Sequence, residues 1–191
     1  MRRLYIISGC NGAGKTTASY TVLPDMLSCR EFVNADEIAK GLSPFNPESV
    51  AIEAGRIMLA RIRELMVQGV DFAFETTLAS RSYVNLIRAA QQQGYRVTLV
   101  YFWLNSPELA VSRVASRVAS GGHGIDEATI RRRYHSGIYN LFNLYMRAVD
   151  YWITVDNSAS PFEIIAEGVG GNVQVINSQT FQTLQLWATR K

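Results

Sequence analysis

Long apolar runs are missing from this chain of 191 residues. The longest, Val97 to Leu104, is interrupted only by Thr98. A bilayer needs about 20 apolar residues in succession, so a transmembrane helix is excluded. Cysteine is scarce, with only Cys10 and Cys29. A chain of this length builds a core without a staple, and reduced thiols in a cytoplasm are the simpler expectation. No secretory signal is expected, because polar and glycine residues follow Ile7 at once. The two histidines, His123 and His135, lack ligand-spaced partners, which argues against a structural metal site. Lysine is also scarce, three against sixteen arginines. Arginine grips phosphate and carboxylate with a rigid fork of donors, whereas lysine acts as a point charge. GC-rich coding is the competing explanation for that bias. The formal net charge of +3 is too small for a general polyanion binder. With 48% apolar and 18% charged residues the composition is that of a globular protein, not of a disordered one.

Apolar segments alternate with helical patterns. Strands are expected at Arg3 to Ser8, Glu31 to Ala35, Val70 to Phe74, Val97 to Leu104 and Tyr151 to Val155. Helices are expected from Lys15 to about Leu27, from Asn46-Pro47-Glu48 to Gly69, from about Arg81 to Gln93, from Ser106-Pro107-Glu108 to Gly121, and from Asp126 to about Val149. Ser160-Pro161-Phe162-Glu163 reads as a capping box. Short apolar pieces (Val173, Val175, Ile176) and an amphipathic helix near Phe181 to Trp187 close the chain. This order predicts an α/β fold with a mostly parallel five-stranded sheet. One domain over residues 1–191 is expected, with a helical lid at about 113–133 and an appendage at about 166–191.

Gly9-Cys10-Asn11-Gly12-Ala13-Gly14-Lys15-Thr16 matches G-x-x-x-x-G-K-[ST] in full, between an expected strand and an expected helix. Glycines let the backbone curl until several N–H groups point inward. The helix start adds a partial positive charge of about one half. Gly9, Asn11, Gly12, Ala13, Gly14, Lys15, Thr16 and Thr17 are the candidate nucleotide-binding residues. Lys15 reaches the β and γ phosphates, and Thr16 offers its hydroxyl to Mg²⁺. A nucleoside triphosphate is therefore the expected cofactor, with a lean to ATP over GTP only because no guanine-reading motif stands out. Switches, motors and kinases all use such a cradle, so other residues must decide the reaction.

Ligands of open α/β sheets sit beyond the carboxyl ends of the strands. Three expected strands end there in an acid: Asp36, Glu75 and Asp156. Asp36 stands where a small-molecule kinase needs a carboxylate to take the acceptor's proton, a role worth about 10²–10⁴-fold. A helix-capping role is the alternative. Glu75, Thr76 and Thr77 are candidates for holding acceptor hydroxyls, or Glu75 for bridging Mg²⁺ through water. Asp156-Asn157-Ser158 turns the chain near the adenine, with Asn157 as a nucleotide contact.

Arg113 and Arg117 share a helix face. Arg131, Arg132 and Arg133 open the next helix, across the Gly121-Gly122-His123-Gly124 turn. Guanidinium groups brought onto a transferring phosphoryl can be worth about 10³–10⁵ in rate. Three consecutive arginines cannot all face one site, so part of the cluster is solvated surface. A nucleic-acid reader would interleave basic residues with exposed aromatics. Ile138, Leu141, Phe142 and Tyr145 instead follow at helical spacing, as core.

The cradle, Asn34-Ala35-Asp36, Glu75-Thr76-Thr77, Arg117 to His123, Arg132-Arg133-Tyr134 and Asp156-Asn157-Ser158 occur in a fixed order. In this the chain resembles the zeta toxin family of P-loop kinases, over about Arg3 to Ile165. The resemblance implies transfer of the ATP γ-phosphoryl to a sugar hydroxyl of UDP-N-acetylglucosamine, and neutralisation by a small antitoxin. It implies Asp36 as general base, Lys15 and Thr16 on nucleotide and Mg²⁺, and Glu75 at the acceptor sugar. It also implies Arg117 with Arg132 or Arg133 on the phosphoryl group, while Arg113 is a candidate for holding substrate. The region between Asp36 and Glu75 is compact compared with the well-studied members.

Overall fold

A computed structural model describes residues 1–21, 23–24, 27–122 and 124–189. The chain forms one seven-stranded sheet with helices on its faces. Strands β1 (Arg2–Gly9), β2 (Glu31–Val33), β3 (Phe72–Thr76), β4 (Tyr95–Trp103) and β5 (Tyr151–Asp156) are parallel and stand in the order β2-β3-β1-β4-β5. β1 is central, with Leu4 against Phe72 on one side and Val97 on the other. Leu4, Ile6, Phe72, Phe74, Val97 and Leu99 have no exposed surface. Strands buried on both faces read as continuous apolar runs, which is why they were legible in the sequence. From β1 the chain first winds to one side, through β2 and β3, and then crosses to β4 on the other. That reversal opens a crevice at the carboxyl ends of β1 and β3, where open sheets bind ligands.

The helices are α1 (Lys15–Thr21), α2 (Ala35–Leu42), α3 (Ala51–Gln68), α4 (Tyr83–Gln92), α5 (Pro107–Ala119), α6 (Glu127–Asn140), α7 (Met146–Ala148) and α8 (Ser178–Thr189). Their ends follow the expected chemistry. Ser106 Oγ accepts from Leu109 N at the start of α5, and Asp126 Oδ1 accepts from Thr129 N at the start of α6. Gly69 closes α3 in a left-handed conformation. The long helix expected up to Val149 is broken by a π-helical turn, Leu141–Tyr145, before α7. The first helix, expected to about Leu27, is helical to Thr21, and residues 22, 25 and 26 lie outside the described residues.

Further expectations are corrected. The second strand stops at Val33, so Asp36 lies in the first turn of α2 and not at a strand end. Asn34 caps that helix, and its side-chain oxygen wins the backbone away from the sheet. The Ser160-to-Glu163 segment starts no helix. It leads into β6 (Glu163–Val169), which pairs antiparallel with β5, and Asn172–Val175 forms β7 beside it. The sheet thus has seven strands instead of five. The capping-box pattern is only local, whereas Ile164, Ile165, Val169, Val173 and Val175 favour a pleated surface beside an unsatisfied sheet edge. Gly168 admits Trp152 from β5, whose ring lies 2.5 Å from where a β-carbon would stand. Among the described residues no helix is long and apolar enough to cross a membrane.

Candidate active site

The Gly9–Thr16 loop turns sharply out of β1 into α1. Gly9, Gly12 and Gly14 have φ of +138°, +80° and +81°. A β-carbon at Gly9 would stand 2.2 Å from the Phe102 carbonyl oxygen, so the position demands glycine on both counts. Asn157, just beyond β5, donates from Nδ2 to the Ala13 carbonyl at 2.8 Å and lies against Gly14, closing the loop from the far side.

Lys15 is buried. Its Nζ donates to the Cys10 carbonyl at 2.9 Å and faces Glu75 Oε1 at 3.4 Å. Thr16 Oγ1 donates to Glu75 Oε2 at 2.8 Å, and Asn34 Nδ2 donates to the same oxygen at 2.9 Å. Glu75, at the end of β3, is thus the hub beneath the cradle. Burial pushes the Cys10 thiol up to about 11, with Lys15 opposing, so Cys10 serves as packing and not as a nucleophile.

Three clefts adjoin. The cradle cleft, about 230 Å³, is lined by Asn11, Gly12, Gly14, Lys15, Thr16 and Thr17, with Asp36, Glu75, Arg113 and Arg117 around them. A second, about 170 Å³, lies between β3 and α2 and is walled by Asn34, Asp36, Met58, Glu75, Thr76, Thr77, Tyr83 and Arg133. The third, about 390 Å³, carries Arg132, Arg133, Asp126, Glu48 and Ile125 beside Asp36. Among these linings Asp36 is the one residue shared by all three clefts.

The arginines divide. Arg133 Nη1 donates to Asn11 Oδ1 in the cradle at 3.2 Å. Arg113 Nη2 donates to the Ser158 carbonyl at 2.9 Å, which sets it beside the cradle cleft and not in the second one. Arg117 borders the cradle, and Arg132 borders the third cleft only. Arg131 is turned away, paired with Glu108 at 2.6 Å and Glu127 at 2.8 Å. Its bond draws the Glu108 carboxyl below the usual range. Helix α6 is fixed to the core. Tyr134 donates to the Leu104 carbonyl at 2.7 Å, and Asn140 Nδ2 donates to the Leu78 carbonyl at 2.8 Å. Gly137 packs on the Thr77 carbonyl so closely that a β-carbon would stand 2.6 Å from its oxygen. His123, in the turn before α6, lies outside the described residues.

Thr76 Oγ1 accepts from Leu78 N at 3.1 Å, so its hydroxyl is partly engaged in shaping its own loop. Tyr83 and Met58 complete the second cleft, and neither carried a motif that would have marked it. Burial raises the Tyr83 hydroxyl above its ordinary value, keeping it a neutral donor. Among the described residues no three His, Cys, Asp or Glu side chains converge as a metal cage. A nucleotide-borne Mg²⁺ needs no cage, because phosphates and water fill most of its shell. The Thr16 hydroxyl and Glu75 carboxylate, side by side under the cradle, are the hard oxygens that suit it.

The zeta toxin family model matches residues 2–158. An uncharacterized protein of Haemophilus influenzae is 32% identical over 126 residues, 66% of this chain and 88% of its own. The fold is similar to that of AvrRxo1-ORF1:AvrRxo1-ORF2, solved with sulphate ions (TM-score 0.79) and with ATP (TM-score 0.76). Both are 15% identical and cover 96% of this chain. This chain spans 63% of the matched AvrRxo1 chain. It is also similar in fold to the PezAT chromosomal toxin–antitoxin system of Streptococcus pneumoniae (TM-score 0.66, 13% identity, 98% of this chain and 84% of that one).

Proposed function

From the premise that the chain belongs to the zeta toxin family, we propose that it is a Mg²⁺-dependent kinase acting on a hydroxyl of a small acceptor. The acceptor is a UDP-sugar such as UDP-N-acetylglucosamine, in line with the family resemblance. ATP occupies the cradle, with Lys15 and the loop N–H groups on its phosphates and Asn157 near the base. The acceptor occupies the second cleft, among Asp36, Thr76, Thr77 and Tyr83. Thr16 would hold Mg²⁺, with Glu75 behind it, and the ion would supply positive charge to the transferring phosphate.

Asp36 takes the proton of the acceptor hydroxyl. The acceptor oxygen bonds to the γ-phosphorus, the bond from that phosphorus to the β–γ bridging oxygen breaks, and ADP leaves with the electron pair. Arg133, with Arg117 or Arg132, stabilises charge on the moving phosphoryl. The observation that carries the reading is the position of Asp36 at the meeting point of all three clefts. The protein acts in the cytoplasm, where ATP is available, and an antitoxin protein is its macromolecular partner, in line with the PezAT toxin–antitoxin system.

The test is Asp36→Asn, assayed by mass spectrometry for phosphorylated product with ATP, Mg²⁺ and UDP-N-acetylglucosamine or a metabolite extract. Transfer should fall about 10²–10⁴-fold with ATP binding retained. Transfer at the parent rate would remove the base assignment. A protein that binds ATP but phosphorylates nothing in the extract would be a nucleotide switch instead.

A further inference from the structure

We propose that Asn34 is a positioning residue whose amide ties Glu75, on the cation side of the site, to the helix turn that presents Asp36. The inference rests on the kinase reading above and adds a part to it. Asn34 is 6% exposed, at the junction of β2 and α2. Its Oδ1 accepts from Asp36 N at 2.8 Å and from Glu37 N at 3.4 Å. Its Nδ2 donates to Glu75 Oε2 at 2.9 Å. That oxygen also receives the Thr16 hydroxyl, while Lys15 faces the other oxygen. A continuous chain of bonds therefore runs from the start of α1, through Glu75 and Asn34, to the backbone of Asp36.

Capping alone does not require asparagine. Aspartate, serine and threonine offer the same acceptor to a helix start. The Glu75 side does require it, because a carboxylate can be met only by a donor. A primary amide carries a donor and an acceptor at opposite ends of one rigid plane. Only one orientation of the amide satisfies both neighbours. A group that fixes two acids of one reaction relative to each other acts on turnover more than on binding. Partners of this kind, standing behind ligating groups, typically cost about 10–100-fold in affinity or activity when removed.

Two variants separate the tie from the cap. Asn34→Ser keeps a capping oxygen and is too short to reach Glu75. Asn34→Asp keeps the shape and the cap but sets a second carboxylate against Glu75. It offers Glu75 an acceptor where the amide offered a donor. ADP release is measured with UDP-N-acetylglucosamine as the acceptor probe, and with water as the acceptor in its absence. Melting curves establish that each variant folds.

The expected result is a kcat about 10–100-fold lower for Asn34→Ser with KM for ATP nearly unchanged. Asn34→Asp, whose cap is intact, lowers kcat as well, again with KM for ATP nearly unchanged. A purely structural cap leaves both variants near the parent. Parent-like kcat in either variant, or a loss confined to KM, overturns the proposal. Should the serine variant melt too early to assay, the kcat and KM of the isosteric variant decide alone. Asp36→Asn runs in parallel. A parent rate there removes the base reading, while the Asn34 variants still report on the tie through hydrolysis to water.

Discussion

Lys15 and Glu75 face each other at 3.4 Å with side chains only 6% and 9% exposed. The ammonium that would grip phosphate thus already has a carboxylate before it. An incoming nucleotide shares or displaces that carboxylate, and a buried charge left without a partner is costly. On the proposed reading, Mg²⁺ beside Thr16 would offset this by giving Glu75 a cation of its own.

Removing Lys15 therefore acts on binding itself. Lys15→Ala should weaken a non-hydrolysable ATP analogue by about 10–100-fold, the scale of hydrogen bonds to charged groups. Glu75→Gln should behave differently. Metal-free ATP binds more tightly once the repelling charge is gone, and the gain from adding Mg²⁺ shrinks. Calorimetric titration with Mg²⁺ and with a chelator distinguishes them, and an equal Mg²⁺ response in Glu75→Gln and parent would contradict the arrangement.

The consecutive arginines should separate in the same way. Arg131 serves Glu108 and Glu127 and lines none of the three clefts described above. Arg131→Ala should leave transfer close to the parent rate. Arg133 reaches the cradle at Asn11, and Arg133→Ala should lower kcat by up to about 10³-fold if it meets the phosphoryl. Steady-state rates of the two variants side by side are the check, and equal losses would show the helix to be rotated from the position found here.

Alkaline pH should destabilise the fold through its buried thiols. Burial is the largest cause pushing Cys10 and Cys29 each up to about 11 from an ordinary value of 9. The folded state favours the neutral thiol, so this contribution is complete below about pH 9 and is lost as the pH rises through about 11. Tyr101, Tyr134 and Tyr145, also raised by burial, act in the same direction. The melting temperature should decline between those limits. A thiol reagent at pH 8 should react with Cys10 slowly until the protein unfolds, and reaction at the rate of a free peptide thiol would refute its burial.

The parallel strands and the cradle were legible because each leaves a local mark. Strands such as Val97 to Leu104 are apolar on both faces, and a loop built on glycines at fixed offsets has few other uses. The β6–β7 hairpin was hidden because its strands gain their bonds from β5, far away in sequence, while Ser160-Pro161-Phe162-Glu163 imitates a helix start. In the candidate site, Asp36 was singled out by its place after β2, although it belongs to α2. An earlier end to that strand would have exposed Asn34 as a cap, but not its bond to Glu75, a residue 41 positions later. Tyr83 and Met58 reach the second cleft only through the packing of α4 and α3, which no spacing announces.

Helix α6 carries Arg133 at its middle and, one turn later, presses Gly137 on the Thr77 carbonyl. It spans the cradle and the second cleft as one rigid beam. On the proposed reading, an acceptor too bulky for the Thr77 wall would push on the same beam that carries Arg133 to the cradle. Choice of acceptor and speed of transfer would then be mechanically linked, and Gly137→Ala, which wedges beam from wall, is where a change in one should bring a change in the other.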